Sequence, residues 1–311
     1  MNSPTSIKSA IITGPTGPIG RKLISLLANQ GVRLLLVSHA ASGRNGALAA
    51  RFGGNLLTCG LQGLGSIMPQ ERFDAFFHLG WLGAENRETR NDALKQGKNI
   101  RYTLDAVELA ARSGCKVFVG AGSQAEYGLL PDDGIVRIDT PVAPVEAYGV
   151  AKYSAGRLSA RLCGTLGIRH CWGRILSVYG EGDRETTLIM YAINCLLRGE
   201  KTKFTPCEQL WDYLYTGDCA KALWAMALAG TDGTAYPLGS GEQRPLKDYL
   251  EQIRQAVNPD ATMGYGAHPY PQGQVMRMRA DMGPLQEDTG FRPETDFQSG
   301  IQALLEWKKH S

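Results

Sequence analysis

The sequence has no Cys-x-x-Cys pair: its seven cysteines, at positions 59, 115, 163, 171, 195, 207 and 219, are scattered through apolar stretches. An odd number so placed argues against a disulfide framework and fits a reduced setting. The five histidines show no metal-ligand spacing, so no metal centre is expected. No apolar run is long enough to cross a bilayer, and the polar stretch Met1 to Ser9 has no signal core. The expectation is a soluble, cytoplasmic protein without a membrane partner. Runs of like charge stop at pairs, and 33 basic against 30 acidic residues leave a formal net charge of +3. That is no electrostatic footprint for nucleic acid. Neither internal repeats nor low-complexity tracts are present.

What is present is a rhythm. Short apolar runs at Ala10 to Thr13, Arg33 to Ser38, Asn55 to Thr58, Asp74 to Leu79, Lys116 to Ala121 and Ile168 to Ile175 alternate with longer segments. Two of these, Arg90 to Arg112 and Glu146 to Leu166, have helical character. The alternation predicts an α/β fold, a Rossmann-like doubly wound parallel sheet covered on both faces. After Tyr179 the pattern changes to scattered helices, short strands and Pro/Gly-rich loops. Residues 1–176 are read as the nucleotide-binding domain and 177–311 mainly as a smaller α/β substrate-binding region, with chain crossing between the two.

Gly14, Gly17 and Gly20 form Gly-x-x-Gly-x-x-Gly between the first strand and a helix beginning near Pro18. Glycines allow a tight turn and close backbone approach, and a helix N-terminus offers free N–H groups and a positive dipole end. Thr16, Pro18 and Ile19 complete this expected pyrophosphate cradle. The second strand ends at Ser38 and His39 with Arg44 close behind, where an acid would hold the adenosine ribose of NAD. A missing carboxylate favours NADP, with NAD as the alternative.

Tyr148 and Lys152 stand four residues apart and share one helix face. A cation beside a phenol favours phenolate, so the pair is expected to lower the tyrosine pKa and let it exchange a proton near neutral pH. Ser123 follows the fifth strand at the carboxyl edge, where ligands of open α/β sheets collect.

With His78-Leu79-Gly80-Trp81 after the fourth strand, Asn99 on the next helix, Gly122 to Gly128, Arg174 to Gly180 and Trp211 to Asp218, the sequence resembles the extended short-chain dehydrogenase/reductase superfamily, in its nucleotide-sugar epimerase/dehydratase branch. The resemblance runs from Ala10 to about Pro293. It implies that Ser123 orients a carbonyl, that Tyr148 is the acid/base, and that Lys152 holds the nicotinamide ribose. It also implies cofactor contacts from Leu61, Leu79, Gly80, Trp81 and Asn99, and a homodimer. Gly60 stands where the family often has an aspartate on adenine, leaving the Leu61 backbone. Ser177 and Trp211 replace a common asparagine and arginine, and Arg277 sits where the family places a phosphate-binding arginine. Gln124 and Glu126 are further candidates beside the sugar.

The implied substrate is a nucleoside diphosphate sugar. Gln124 and Ala125 occupy the places of a 4,6-dehydratase's acid and base, which argues against that reaction. A 4-ketoreductase is narrowly favoured over a 4-epimerase that retains NAD. The other class of reading is a non-catalytic NAD(P)-binding module, against which Ser123, Tyr148 and Lys152 argue.

Overall fold

The structure is a computed structural model that describes residues 6–39, 42, 43, 45–52 and 55–310. In chain order the first half runs β1 (Ser9–Thr13), α1 (Pro18–Asn29), β2 (Arg33–Ser38), α2 (Asn45–Phe52), β3 (Leu56–Thr58), β4 (Ala75–His78), α3 (Arg87–Asn91), α4 (Ala93–Arg112), β5 (Val117–Ser123), β6 (Ile135–Val136), α5 (Ala147–Leu166) and β7 (Arg169–Ile175). The second half runs β8 (Ser177–Tyr179), α6 (Leu188–Leu197), β9 (Leu210–Trp211), β10 (Tyr213–Tyr215), α7 (Thr216–Ala229), β11 (Thr234–Leu238), β12 (Arg244–Pro245), α8 (Leu246–Val257), β13 (Arg279–Ala280), α9 (Gly283–Thr289) and α10 (Phe297–Lys309).

Seven parallel strands form one sheet in the order β11-β7-β5-β4-β1-β2-β3. The expected doubly wound sheet is therefore present. Its strands are apolar on both sides because helices cover both faces. Ile11, Phe76 and Phe118 lie in register and turn toward α4 and α5. Their chain neighbours Ile12, Phe77 and Val119 turn toward α1 and α7. A separate cluster around Tyr179, Tyr249 and Phe297 joins α6, α8 and α10.

Two features depart from the sequence pattern. The seventh strand, β11, comes from residues beyond the six apolar runs and pairs with β7, so the chain after 177 returns to the sheet. The helix expected over Arg90 to Arg112 is broken at Asp92, whose extended backbone ends α3. Its carboxylate accepts from Lys95 N at 2.9 Å and so caps α4. Among the described residues no helix is long and apolar enough to cross a membrane.

Candidate active site

The carboxyl ends of β1, β4 and β5 open on one side of the sheet. Gly14 has φ +70°, and a Cβ there would lie 2.7 Å from Gly80 N. A Cβ on Gly20 would collide with the Gly14 carbonyl oxygen, whereas one on Gly17 would meet only that oxygen at 3.6 Å. Two glycines thus serve packing and the third serves access. Gly17 is the extended N-cap of α1, Pro18 and Ile19 open the helix, and no side chain caps it. No acidic residue sits in that first turn. A bare positive helix end behind a glycine turn, with Thr16 in the turn, fits a pyrophosphate.

Leu61, at the start of a 3-10 turn, presses against Gly80, where a Cβ would lie 2.8 Å from Leu61 Cδ2. Leu79 N donates to Thr13 O at 3.2 Å, and Gly80 N donates to Thr13 Oγ1 at 3.2 Å. At the β2 end, Ser38 Oγ bonds Asn45 Oδ1 at 2.6 Å, and Asn45 Nδ2 donates to the carbonyl of the exposed His39 at 2.8 Å. Arg44 lies outside the described residues. The first carboxylate anywhere in the chain is Glu71.

Ser123 ends β5, and Tyr148 stands in the first turn of α5 with 8% of its surface exposed. The phenol lies beside the Ser123 hydroxyl, as the sequence anticipates, but its pKa moves the other way. Burial raises it above the ordinary tyrosine value, outweighing the Ser123 hydroxyl and the charge of Arg90, which pull it down. Lys152 sits one turn farther along α5. Its ammonium donates to Ala121 O at 2.6 Å, lies 3.8 Å from the centre of the Trp81 ring, and is 5.8 Å from that of Tyr148. Burial lowers the Lys152 pKa to about 7, with Arg90 adding to the fall and Glu126 opposing it.

Trp81 itself packs edge-on to Tyr148, ring centres 5.9 Å apart, and its indole N–H donates to Gln96 Oε1 at 2.9 Å. Arg90 is the residue that sequence reasoning missed. Its guanidinium carbon lies 4.1 Å from the Tyr148 ring centre, and Nε and Nη2 both donate to Glu146 Oε2, at 3.1 and 3.0 Å. No spacing rule flags an arginine inside the charged stretch Glu85 to Asp92.

Two of the expected ligands are buried and hydrogen-bonded within the protein. Glu126 is 1% exposed, and its carboxylate accepts from Ser123 N at 2.8 Å, Trp172 Nε1 at 2.9 Å and Arg174 Nε at 2.9 Å. A buried carboxylate spent on three internal donors braces the β5 end and has no face for sugar. Asn99 is also 1% exposed, its amide accepting from Leu82 N at 2.8 Å and donating to Leu82 O at 2.9 Å. It pins the loop after β4.

Beside Ser123 and Tyr148 lies a cleft of about 830 Å³ whose lining includes Arg90, Gln124, Glu146, Trp211 and Arg277. Three of the expected substrate residues thus meet in one place. Ser177 Oγ accepts from Trp211 Nε1 at 2.9 Å, so Ser177 orients that indole. The exposed Arg277 guanidinium has no side-chain partner among the described residues. No cluster of metal-ligating side chains occurs among those residues.

The sequence matches the NAD dependent epimerase/dehydratase family over residues 10–239. It is 22% identical over 303 residues to the CDP-abequose synthase of Salmonella typhimurium, covering 95% of this chain and 96% of that protein. Among solved structures, a UDP-N-acetylglucosamine 4-epimerase from Methanobrevibacter ruminantium, in complex with UDP-N-acetylmuramic acid, superposes with TM-score 0.87 at 21% identity. The alignment covers 98% of this chain and 99% of that one. The RMD protein of Pseudomonas aeruginosa, complexed with NADPH, gives TM-score 0.78 at 20% identity, over 96% and 98% of the two chains.

Proposed function

Because the chain belongs to the NAD dependent epimerase/dehydratase family, we propose that it is a reductase that uses NADPH on the C4 carbonyl of a nucleotide sugar. The observation that carries this reading is the placement of the Tyr148 phenol beside the Ser123 hydroxyl next to an open cleft. Reduced nicotinamide, when bound, supplies the hydride. The chain's own residues do the rest. Ser123 hydrogen-bonds the carbonyl oxygen, and Tyr148 gives that oxygen its proton, so that the ketone becomes an alcohol. Lys152 holds the nicotinamide ribose, and the glycine turn with the α1 N-terminus holds the pyrophosphate.

On the substrate side, the unpartnered Arg277 guanidinium suits the diphosphate, and Trp211 with Gln124 flanks the path to the sugar. Beside Ser123, Gln124 and Ala125 offer neither acid nor base for removing water from the sugar ring. The preference for NADPH rests on the β2 end, where Ser38 and Asn45 stand without a carboxylate to repel a 2′-phosphate. A cofactor held without a ribose-gripping acid suits the exchange that a reductase requires.

The test supplies a 4-keto nucleotide sugar with NADPH or NADH and follows the absorbance of the reduced nicotinamide. Stoichiometric oxidation is expected, with NADPH at least as effective as NADH. Interconversion of C4 epimers without added cofactor would establish an epimerase instead. A 4-keto-6-deoxy product from a nucleoside diphosphate hexose would overturn the argument from Gln124 and Ala125.

A further inference from the structure

We propose that the face of Trp81 holds the Lys152 ammonium through a cation–π contact, keeping it charged and in place, so that Trp81 is a positioning residue for this site. The inference rests on the reading of Lys152 as the group that holds the nicotinamide ribose. The ammonium lies 3.8 Å from the centre of the Trp81 ring and donates to Ala121 O at 2.6 Å. Lys152 is 4% exposed, and among the described residues no carboxylate pairs with it. A buried ammonium has to be compensated for the water it has lost, and an indole, the strongest of the aromatic faces, attracts a cation most where water is excluded. An ammonium carries three donors. With the Ala121 carbonyl and the indole face each engaging one, a third is left for a ribose hydroxyl.

The indole is built into its position. Its N–H donates to Gln96 Oε1 at 2.9 Å, and Gln96, 1% exposed, spends its amide nitrogen on Gly83 O at 2.6 Å and Thr89 O at 2.9 Å. Asn99 holds the backbone N–H and carbonyl of Leu82, the next residue in the chain. Two buried side chains of α4 therefore fix Trp81 and the loop that carries it. Tyr148 and Lys152 stand one turn apart on α5, and the same indole meets the Tyr148 ring edge-on at 5.9 Å.

The titratable and charged groups around Lys152 are His78 from β4, Arg90 from α3, Glu126 after β5 and Tyr148 from α5. Burial pulls the Lys152 pKa down to about 7; Glu126 opposes the fall and Arg90 adds to it. Glu126 is already engaged with Ser123, Trp172 and Arg174. The π face attracts the ammonium without bringing a second carboxylate to a site that takes an anionic cofactor.

The test reads the ammonium directly and needs neither cofactor nor substrate. Protein labelled with carbon-13 at the lysine Cε is titrated by NMR, with Lys152→Arg identifying the resonance. Trp81 is replaced, by site-specific incorporation, with tryptophan carrying one to four fluorine atoms on its benzo ring, which weakens the π face stepwise at nearly constant shape. The Lys152 midpoint is expected to fall with each step, by about one pH unit or more over the series. Trp81→Phe, which keeps a weaker face, should lower the midpoint too, and serves alone if the fluorinated proteins do not fold. A midpoint that stays put or rises would overturn the proposal, since a ring that merely fills space is indifferent to fluorine. If the parent ammonium stays charged up to unfolding, a titration that appears only in the fluorinated proteins supports the proposal, and none in any of them overturns it. NADPH affinity in Lys152→Met checks the underlying reading separately. If that affinity is retained, Lys152 does not hold the ribose, whatever Trp81 does to the titration.

Discussion

At the scale of single residues, the proposed reduction concentrates its chemistry in one phenol and one hydroxyl. Tyr148→Phe keeps the ring between Arg90 and Trp81 but removes the exchangeable proton. Turnover is expected to fall by about 10²- to 10⁴-fold with cofactor affinity retained, measured by steady-state kinetics alongside cofactor titration. Ser123→Ala should cost roughly a hundredfold, the size of one lost transition-state hydrogen bond. Unchanged rates in Tyr148→Phe would reject it as the acid/base and revive the non-catalytic module. Spacing alone put Tyr148 and Lys152 on one helix face, and the resemblance to the short-chain dehydrogenase/reductase superfamily added Ser123. The direction of the Tyr148 pKa was not. It depends on how much packed protein removes water from the phenol, and burial outweighs the charges that reach it.

At the scale of elements, the end of β5 is held by Glu126. Its carboxylate takes the Ser123 backbone N–H, the Trp172 indole and the Arg174 guanidinium at once. Glu126→Ala is expected to destabilise the fold by about 3–5 kcal/mol, the cost of leaving a buried guanidinium unpaired. Glu126→Gln keeps an acceptor for the Ser123 N–H and the indole, and should recover part of that loss. Urea denaturation of the two variants checks this. A variant of full stability with a raised KM would instead restore Glu126 as a substrate ligand. From sequence, Glu126, two residues before Gly128 and beside the expected cleft, is a candidate for the sugar hydroxyls, with a structural contact as the equal alternative. The tight turn, Ser123 capping it from one end and Glu126 from the other, folds the carboxylate inward. The break at Asp92 is likewise a matter of capping: its carboxylate accepts from Lys95 N, and that bond marks where one helix ends and the next begins.

At the scale of the whole molecule, two histidines buried in the sheet make stability sensitive to acid. His78 is bonded to Thr13 and Thr103, and burial, with the charge of Lys152, lowers its pKa to about 3. His170 is bonded to Ser159 and stacked between Phe118 and Trp172, and burial lowers its pKa to about 4. In the unfolded chain both take up a proton near 6.5, so below that pH the unfolded state binds more protons and stability falls. The loss runs from about pH 6.5 down through the folded values of about 3 and 4. It amounts to roughly 2 kcal/mol for each histidine at pH 5. Denaturation at pH 7 and pH 5 measures it. His170→Phe keeps a ring in the stack and leaves Ser159 bonded to Gly156 O, so its acid loss should be smaller by about 2 kcal/mol. An identical acid loss in that variant would refute the assignment. By itself the sequence determined the parallel sheet, the glycine turn and the shared helix face of Tyr148 and Lys152, because each is written in local periodicity and short spacing that backbone geometry converts directly into place. Only the tertiary structure decided that β11 is the strand that returns to the sheet, that Arg90 covers the Tyr148 ring, that Glu126 is spent inside, and that Gln124, Trp211 and Arg277 share one cleft. Those outcomes depend on contacts between segments far apart in the chain, where competition for burial and hydrogen-bond partners settles which groups reach the site.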